Sequence, residues 1–243
     1  MNDIWGLTTI GIAKSQEEMD AHLAKVDQSS VGTNWGVGDI MYADLDGDGK
    51  ISNGTNKLGD TGDYRIIGNS TPRFKYGITL DAAWKGFDFS IFYAGDRKRD
   101  LWLDGCYFWG ANGQGNEWQS TGFAEHWDFF RPEGDPLGAN LNSYYPRVNF
   151  SGDRNTKVQT RYLQNGAYLR LKNVQLGYTL PRVWTEKAGI SSVRVYVSGD
   201  NLATITSLSK IFDPEATGSL AGTGSGKLYP LQRVISVGVN VNF

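Results

Sequence analysis

Cysteine, histidine and proline are scarce in this sequence, with one, two and seven residues among 243. The single thiol, Cys106, excludes an intrachain disulfide framework, and with only His22 and His126 beside it the usual zinc spacings are absent. Cys106 is expected to be an ordinary buried or loop thiol. No run of about eighteen apolar residues occurs, so no membrane-spanning helix is encoded, and Met1 to Ile12 lacks the basic start and apolar core of a signal peptide. This excludes helical spans only, because the strands of a membrane barrel alternate polar and apolar residues and score as hydrophilic. The net charge of −2 is near neutral with the signs interspersed, which leaves no basic footprint for nucleic acid.

What is present favours strands. Glycine (31 residues) and aromatics (13%) are plentiful, a mixture that suits many strands joined by turns. At the C-terminus Ile235, Val237, Val239, Val241 and Phe243 alternate with Ser236, Gly238, Asn240 and Asn242, which is one strand with one apolar face. Val193, Val195 and Val197 repeat the design against Arg194, Tyr196 and Ser198. Tyr76, Ile78, Leu80, Ala82 and Trp84 do so before Lys85-Gly86, and Phe87, Phe89, Ile91 and Tyr93 after it, so residues 74–95 read as a hairpin with a two-residue turn. From Tyr168 to Leu180 the apolar residues share one face only if the phase slips near Asn173, which predicts a β-bulge. A weaker strand is expected at Trp5 to Ile12. One helix is legible, where Ser15 and Glu18 form a capping box and Met19, His22, Leu23 and Val26 follow at helical spacing; His22 there is expected to pack, not to ligate.

The expected fold class is therefore all-β. Periodicity alone leaves a soluble β-sandwich open, but two links of about sixty to seventy residues are longer than compact domains carry. An antiparallel transmembrane β-barrel accommodates them, with long loops on the outside and short turns on the inside. This places 13–73, 96–167 and 204–230 as extracellular loops. Lys85-Gly86, Pro181 to Ser192 and Phe243 then lie on the periplasmic side, with Trp84, Phe87, Trp184 and Phe243 near one interface as an aromatic girdle. Lys75, Asp81, Asp88, Arg170, Lys172 and Arg194 would face a polar lumen. Six strands cannot close a membrane barrel, which needs at least about eight, so the chain is expected to be part of a larger one.

Several segments together resemble the SusC/RagA-like TonB-dependent transporters of the Bacteroidetes outer membrane. They are Gly38-Asp39-Ile40, Asp44 to Ile51, Ile67 to Phe74 with Tyr76-Gly77, Tyr168 to Val174 with Leu176-Gly177-Tyr178, Val195 to Leu202, Asp213-Pro214-Glu215 and Tyr229-Pro230. Each is weak alone, and the ordered set is specific. The resemblance implies residues 1–243 of a C-terminal barrel portion, about six strands of a 22-stranded barrel, with the plug domain and TonB box absent. It implies a Gram-negative outer-membrane location with several membrane crossings, a SusD-like surface lipoprotein as lid, coupling to the TonB complex, and import of oligosaccharides or peptides. Phe243 resembles the terminal aromatic of the barrel-assembly signal.

Three sites stand out. Asp44, Asp46, Asp48 and Gly49 reproduce positions 1, 3, 5 and 6 of a calcium loop, and Lys50 would offer its carbonyl at position 7. Position 12 is Thr55, so Asp60 or Asp63 would have to bend back to complete a structural Ca2+ site, and an acidic turn without metal is the competing reading. Trp102, Tyr107, Phe108, Trp109, Trp118, Trp127, Phe129 and Phe130 crowd one long loop and must bury against one another, a lid protein or substrate. Trp102, Trp109, Trp118 and Trp127 are the candidate lid or substrate contacts. Glu125, Asp128 and Glu133 near His126 fix no carboxylate separation of the kind glycosidases need, so no enzyme is expected. The alternative function is a secreted, calcium-stabilised β-sandwich that binds carbohydrate.

Overall fold

Lys85 and Gly86 adopt φ of 47° and 87°, two successive left-handed residues whose twist matches the strands they join. The turn sets Trp84 opposite Phe87 and carries an unbroken register to Phe74 opposite Arg97. The computed structural model describes residues 2–57, 59–113, 115, 122–216 and 229–243. In chain order these hold β1 (Asp3–Gly6), β2 (Thr9–Ile12), α1 (Gln16–Leu23), β3 (Ile40–Tyr42), β4 (Arg65–Asn69), β5 (Phe74–Trp84), β6 (Phe87–Arg97), β7 (Asp100–Leu101) and α2 (Cys106–Trp109). There follow β8 (Gln164–Asn165), β9 (Tyr168–Thr179), α3 (Arg182–Thr185), β10 (Ser192–Thr206) and β11 (Val234–Asn242).

The long strands form one antiparallel sheet of five in the order β11-β10-β9-β6-β5. They run 9 to 15 residues, and a tilted strand of about 9–11 residues crosses a bilayer. The Lys85-Gly86 turn, the β9–β10 link with α3, and the chain end at Phe243 share one end of the sheet. The described residues of 2–73, 98–167 and 207–233 leave from the other, as the alternation of short and long links predicted. Trp84, Phe87, Trp184 and Phe243 fall together at the short-turn end and are exposed there.

Register explains the two faces. Trp84, Phe87, Tyr178, Val195 and Val239 line up across the five strands, and the next row is Ala82, Phe89, Leu176, Val197 and Val237. The row between them on the opposite face is Ala83, Asp88, Gly177, Tyr196 and Gly238. The expected bulge lies where the sequence placed it: Phe92 and Tyr93 are consecutive but pair with Asn173 and Leu171, so Lys172 is the extra residue. That slip returns Leu169 and Leu171 to the apolar face, because side chains alternate with period two.

The apolar face is bare. Val237 is 76% and Ile235 75% exposed, and among the described residues no second sheet packs on them. This overturns the sandwich alternative, which would bury such a face against a second sheet about 10 Å away.

The hydrophobic core lies instead in the loops. Leu7, Ile40, Tyr42, Ile51, Leu103, Phe108 and Tyr162, from all along residues 2–167, pack into one cluster that also takes Leu208 and Phe212. Short strand pairs β1-β4, β2-β3 and β7-β8 brace this cap. Here the expected strand at Trp5 to Ile12 needs correction. It is two short strands paired with β4 and β3 inside the cap, so the membrane-type sheet has five strands, not six. Leu7 and Thr8 break it because Leu7 turns aside to bridge Gln159. Helix α1 begins as predicted, with Ser15 Oγ accepting from the Glu18 amide at 3.2 Å and Glu18 reaching back to the Lys14 amide at 2.6 Å. His22 sits 3.0 Å from the buried Gln28 side chain, a packing role.

Candidate functional site

The polar face of the sheet carries a built ion pair. Arg194 on β10 holds Asp88 on β6 through two hydrogen bonds, one from Nε at 2.8 Å, across the intervening strand β9. The residue between them is Gly177, and a Cβ there would lie 2.4 Å from Asp88 Oδ2 and 2.5 Å from Arg194 Nη2. Only glycine lets this pair close over β9. Gly238 similarly accommodates the ring of Tyr196, which a Cβ would approach to 2.4 Å.

Where β9 enters the cap, Arg170 and Lys172 clamp the segment Asp213-Pro214-Glu215. Arg170 donates to Asp213 Oδ1 at 2.7 Å and Lys172 to Glu215 Oε2 at 2.6 Å, while Arg99 donates to the Pro214 carbonyl at 3.1 Å. Burial raises the pKa of the Asp213 carboxyl, but hydrogen bonds from Arg170 and from the Glu215 and Leu231 amides outweigh it and hold the group below its ordinary value. Arg170, one of the residues expected to face a polar lumen, is 3% exposed and anchors the third long loop. Lys75 and Asp81 on β5 remain exposed.

The acidic loop is wrapped by hydrogen bonds from its own backbone amides. Asp44 accepts from the Gly47 amide at 2.7 Å and the Gly49 amide at 2.8 Å, Asp46 from Asp48 at 3.1 Å, and Asp48 from Lys50 at 2.8 Å. Gly47 and Gly49, with φ of 80° and 78°, make the two left-handed steps that wrap the chain. One oxygen from each of Asp44, Asp46 and Asp48 lies within 4.8 Å of the others. The Gly49 amide lowers the Asp44 carboxyl. Asp46 is lowered by its bond from the Asp48 amide but raised more by desolvation and by the charges of Asp48, Asp63 and Asp44, for a net rise. These three carboxylates fit a hard cation in spacing and type.

The two proposed completing residues do other work. Asp60 accepts from the Thr55 amide at 3.1 Å in the next turn and does not join the carboxylate group. Asp63 is fully buried and accepts from the amides of Leu45 at 2.6 Å and Ser52 at 2.8 Å, pinching together the two ends of the loop. Lys50 anchors its flank through a bridge to Asp27.

Most of the loop aromatics form the cap core. Phe108 meets Trp109, Tyr145 and Tyr162 edge-on at 5.2–6.3 Å. Trp109, only 3% exposed, belongs to this core, which corrects its reading as a lid or substrate contact: its indole is enclosed between Trp102 and Tyr162. Trp102 packs on the core from its edge. Trp127 stands out among these, 61% exposed with Arg131 over its ring. Trp118 lies outside the described residues. Glu125 is committed to Ser209 and the Lys210 amide and Asp128 to Asn140, so neither is presented as an acid or base beside His126.

Sequence reasoning missed the hub at Asp39. This buried carboxylate receives Arg147 at 2.6 and 2.8 Å, Asn155 at 2.8 Å and the Gly36 amide at 3.0 Å, tying the first long loop to the second. Partners more than a hundred residues away leave no local pattern.

No family model matches the chain. The chain is 32% identical over 215 residues to TonB-dependent receptor P3 of Formosa agariphila, covering 85% of itself and 19% of that protein. TonB-dependent receptor P26 of the same organism is 29% identical over 248 aligned positions, covering 98% and 22%. Among solved structures, the RagAB peptide importer in its open-open state shares the fold with a TM-score of 0.64 at 22% identity, over 99% of this chain and 22% of that one. The chain thus spans about a fifth of the length of the curated relatives it matches. Over most of its length this chain is therefore similar to a segment of relatives named TonB-dependent receptors, and its strands follow the course of those in the RagAB peptide importer.

Proposed function

We propose that this chain is the C-terminal wall and extracellular cap of a TonB-energised importer of oligosaccharides or peptides. In this reading it lies in the outer membrane of a Bacteroidetes-like cell and works beneath a SusD-like surface lipoprotein. The observation that carries the reading is the five-stranded sheet with one bare apolar face and one polar, ion-paired face. In water the bare face has no partner, whereas in lipid it is satisfied. The neighbours being a peptide importer supports the transport class, and the surface Trp127 supports a contact role on the outer side. Phe243 serves as the assembly signal. Asp44, Asp46, Asp48 and the Lys50 carbonyl hold a structural Ca2+, which relieves the mutual repulsion of three carboxylates and stiffens the first long loop.

The test is to refold the full chain in vesicles containing brominated lipid. Trp84, on the apolar face, should be quenched and a Trp84→Phe variant should lose that signal. Equal strand content and monodispersity in plain buffer, with no quenching, would sink the proposal. In cells, uptake of labelled oligosaccharide or peptide by the receptor carrying this segment should stop when TonB is disabled.

A further inference from the structure

Between β1 and the loop that precedes β4 lies a cavity of about 410 Å³ lined by Trp5, Asn53, Asn56, Lys57, Thr61 and Tyr64. The turn that carries three of these residues is tightly wound. Gly54, Asn56, Gly59 and Gly62 all take left-handed φ, between 53° and 95°. Ser52 Oγ accepts from the Gly54 amide at 3.1 Å, Asp60 accepts from Thr55, and Lys57 and Asp60 exchange backbone hydrogen bonds at 3.0 and 3.3 Å. A side chain at Gly54 would lie 2.3 Å from Asp60 Oδ1, so the turn has one way to close.

The lining combines two aromatic rings, two carboxamides, a hydroxyl and one cation. Among the described residues, the side chains of Asn53, Asn56 and Lys57 have no hydrogen-bond or ion-pair partner. No carboxylate lines the cavity. A sugar ring has an apolar C–H face that suits an aromatic wall and a rim of hydroxyls that both donate and accept, which a carboxamide answers in both directions. An extended peptide would instead seek a sheet edge or a long groove. The lone ammonium, unopposed by any lining acid, favours an anionic substituent on that ring.

We infer that this cavity is a cap subsite for a sugar ring bearing an acidic group, with Trp5 and Tyr64 as apolar walls, Asn53 and Asn56 reading hydroxyls, and Lys57 facing the acid. The inference rests on the oligosaccharide reading and names the chemistry of its substrate. It is tested by titrating the full chain in detergent with an oligogalacturonate and with the neutral galacto-oligosaccharide of equal length. The acidic sugar should bind more tightly. Trp5→Ala should weaken both by roughly tenfold, the scale of one aromatic contact, and Asn53→Ala by less. Lys57→Gln should erase the preference for the acidic sugar. Equal binding of the two sugars, or no effect of Trp5→Ala while strand content is unchanged, overturns the subsite. If the cavity variants bind no sugar differently but cells still import oligosaccharide, only this inference fails; if cells import peptides alone, the oligosaccharide reading fails with it and the transport reading stands.

Discussion

The cap and the sheet solve the same problem in opposite ways. In the cap, residues scattered from Leu7 to Phe212 enclose Phe108, Tyr42 and Tyr162 completely, and polar hubs such as Asp39 are satisfied by arginines and amides from distant loops. In the sheet, valines and phenylalanines stand exposed in rows on one face, while backbone pairing and polar side-chain pairs on the other face hold the strands. The difference teaches where the solvent changes: the cap hides its apolar surface from water, and the sheet presents its own to lipid.

Four experiments sharpen that contrast. The largest effect is expected for Phe108→Ala, which should cost the cap about 3–5 kcal/mol, read as faster proteolysis of residues 98–167 while the strand signal survives. Loss of strands together with the cap would show the two regions to be one cooperative unit. Nearly as large is Arg170→Met, which strands Asp213 in a buried site at about 3–5 kcal/mol. Because the Asp213 carboxyl is held below its ordinary 3.8, the stability it contributes is present above that value and disappears as pH falls below it. The wild-type cap should therefore loosen on acidification through that window, whereas the Arg170→Met variant, whose stranded carboxyl is relieved by protonation, should not loosen there. A cap whose acid sensitivity is the same in both would remove the clamp from the account.

On the other side of the comparison, Val237→Arg should destabilise the sheet by about 2–4 kcal/mol in vesicles and leave cap proteolysis unchanged, measured by urea unfolding of the membrane-inserted receptor. The smallest effect concerns calcium. At a hundredfold its Kd the ion should stabilise the cap by about 2.7 kcal/mol if all of its binding is to the folded state, less if the loop binds partly when unfolded. Asp46→Asn should abolish the response, and a melting temperature indifferent to calcium in the wild type would leave the acidic loop as a turn.

Legibility followed the same division. The hairpin turn, the alternation of faces, the bulge beside Asn173 and the grouping of long links at one end of the sheet were readable because they depend on neighbours two residues apart or on loop length. The acidic loop was readable for the same reason, since Asp44, Asp46 and Asp48 lie within five residues and their geometry is set by Gly47 and Gly49. Asp60 was not: its carboxylate is consumed by Thr55, a local bond that competes with any ion. Trp109 and Trp127 look alike in sequence, yet one is enclosed and the other exposed, because the enclosing rings come from Trp102 and Tyr162.

By itself, the sequence determined the alternation of faces, the two-residue turn and the end of the sheet at which the chain finishes, because period-two backbone geometry and left-handed turn residues act over a few bonds. Only the tertiary structure decided that Trp5 to Ile12 leaves the sheet for the cap, that Arg170 is a buried anchor, and that Asp39 gathers Arg147 and Asn155. Those outcomes rest on contacts between residues tens to more than a hundred positions apart, whose energies depend on enclosure and not on any pattern along the chain.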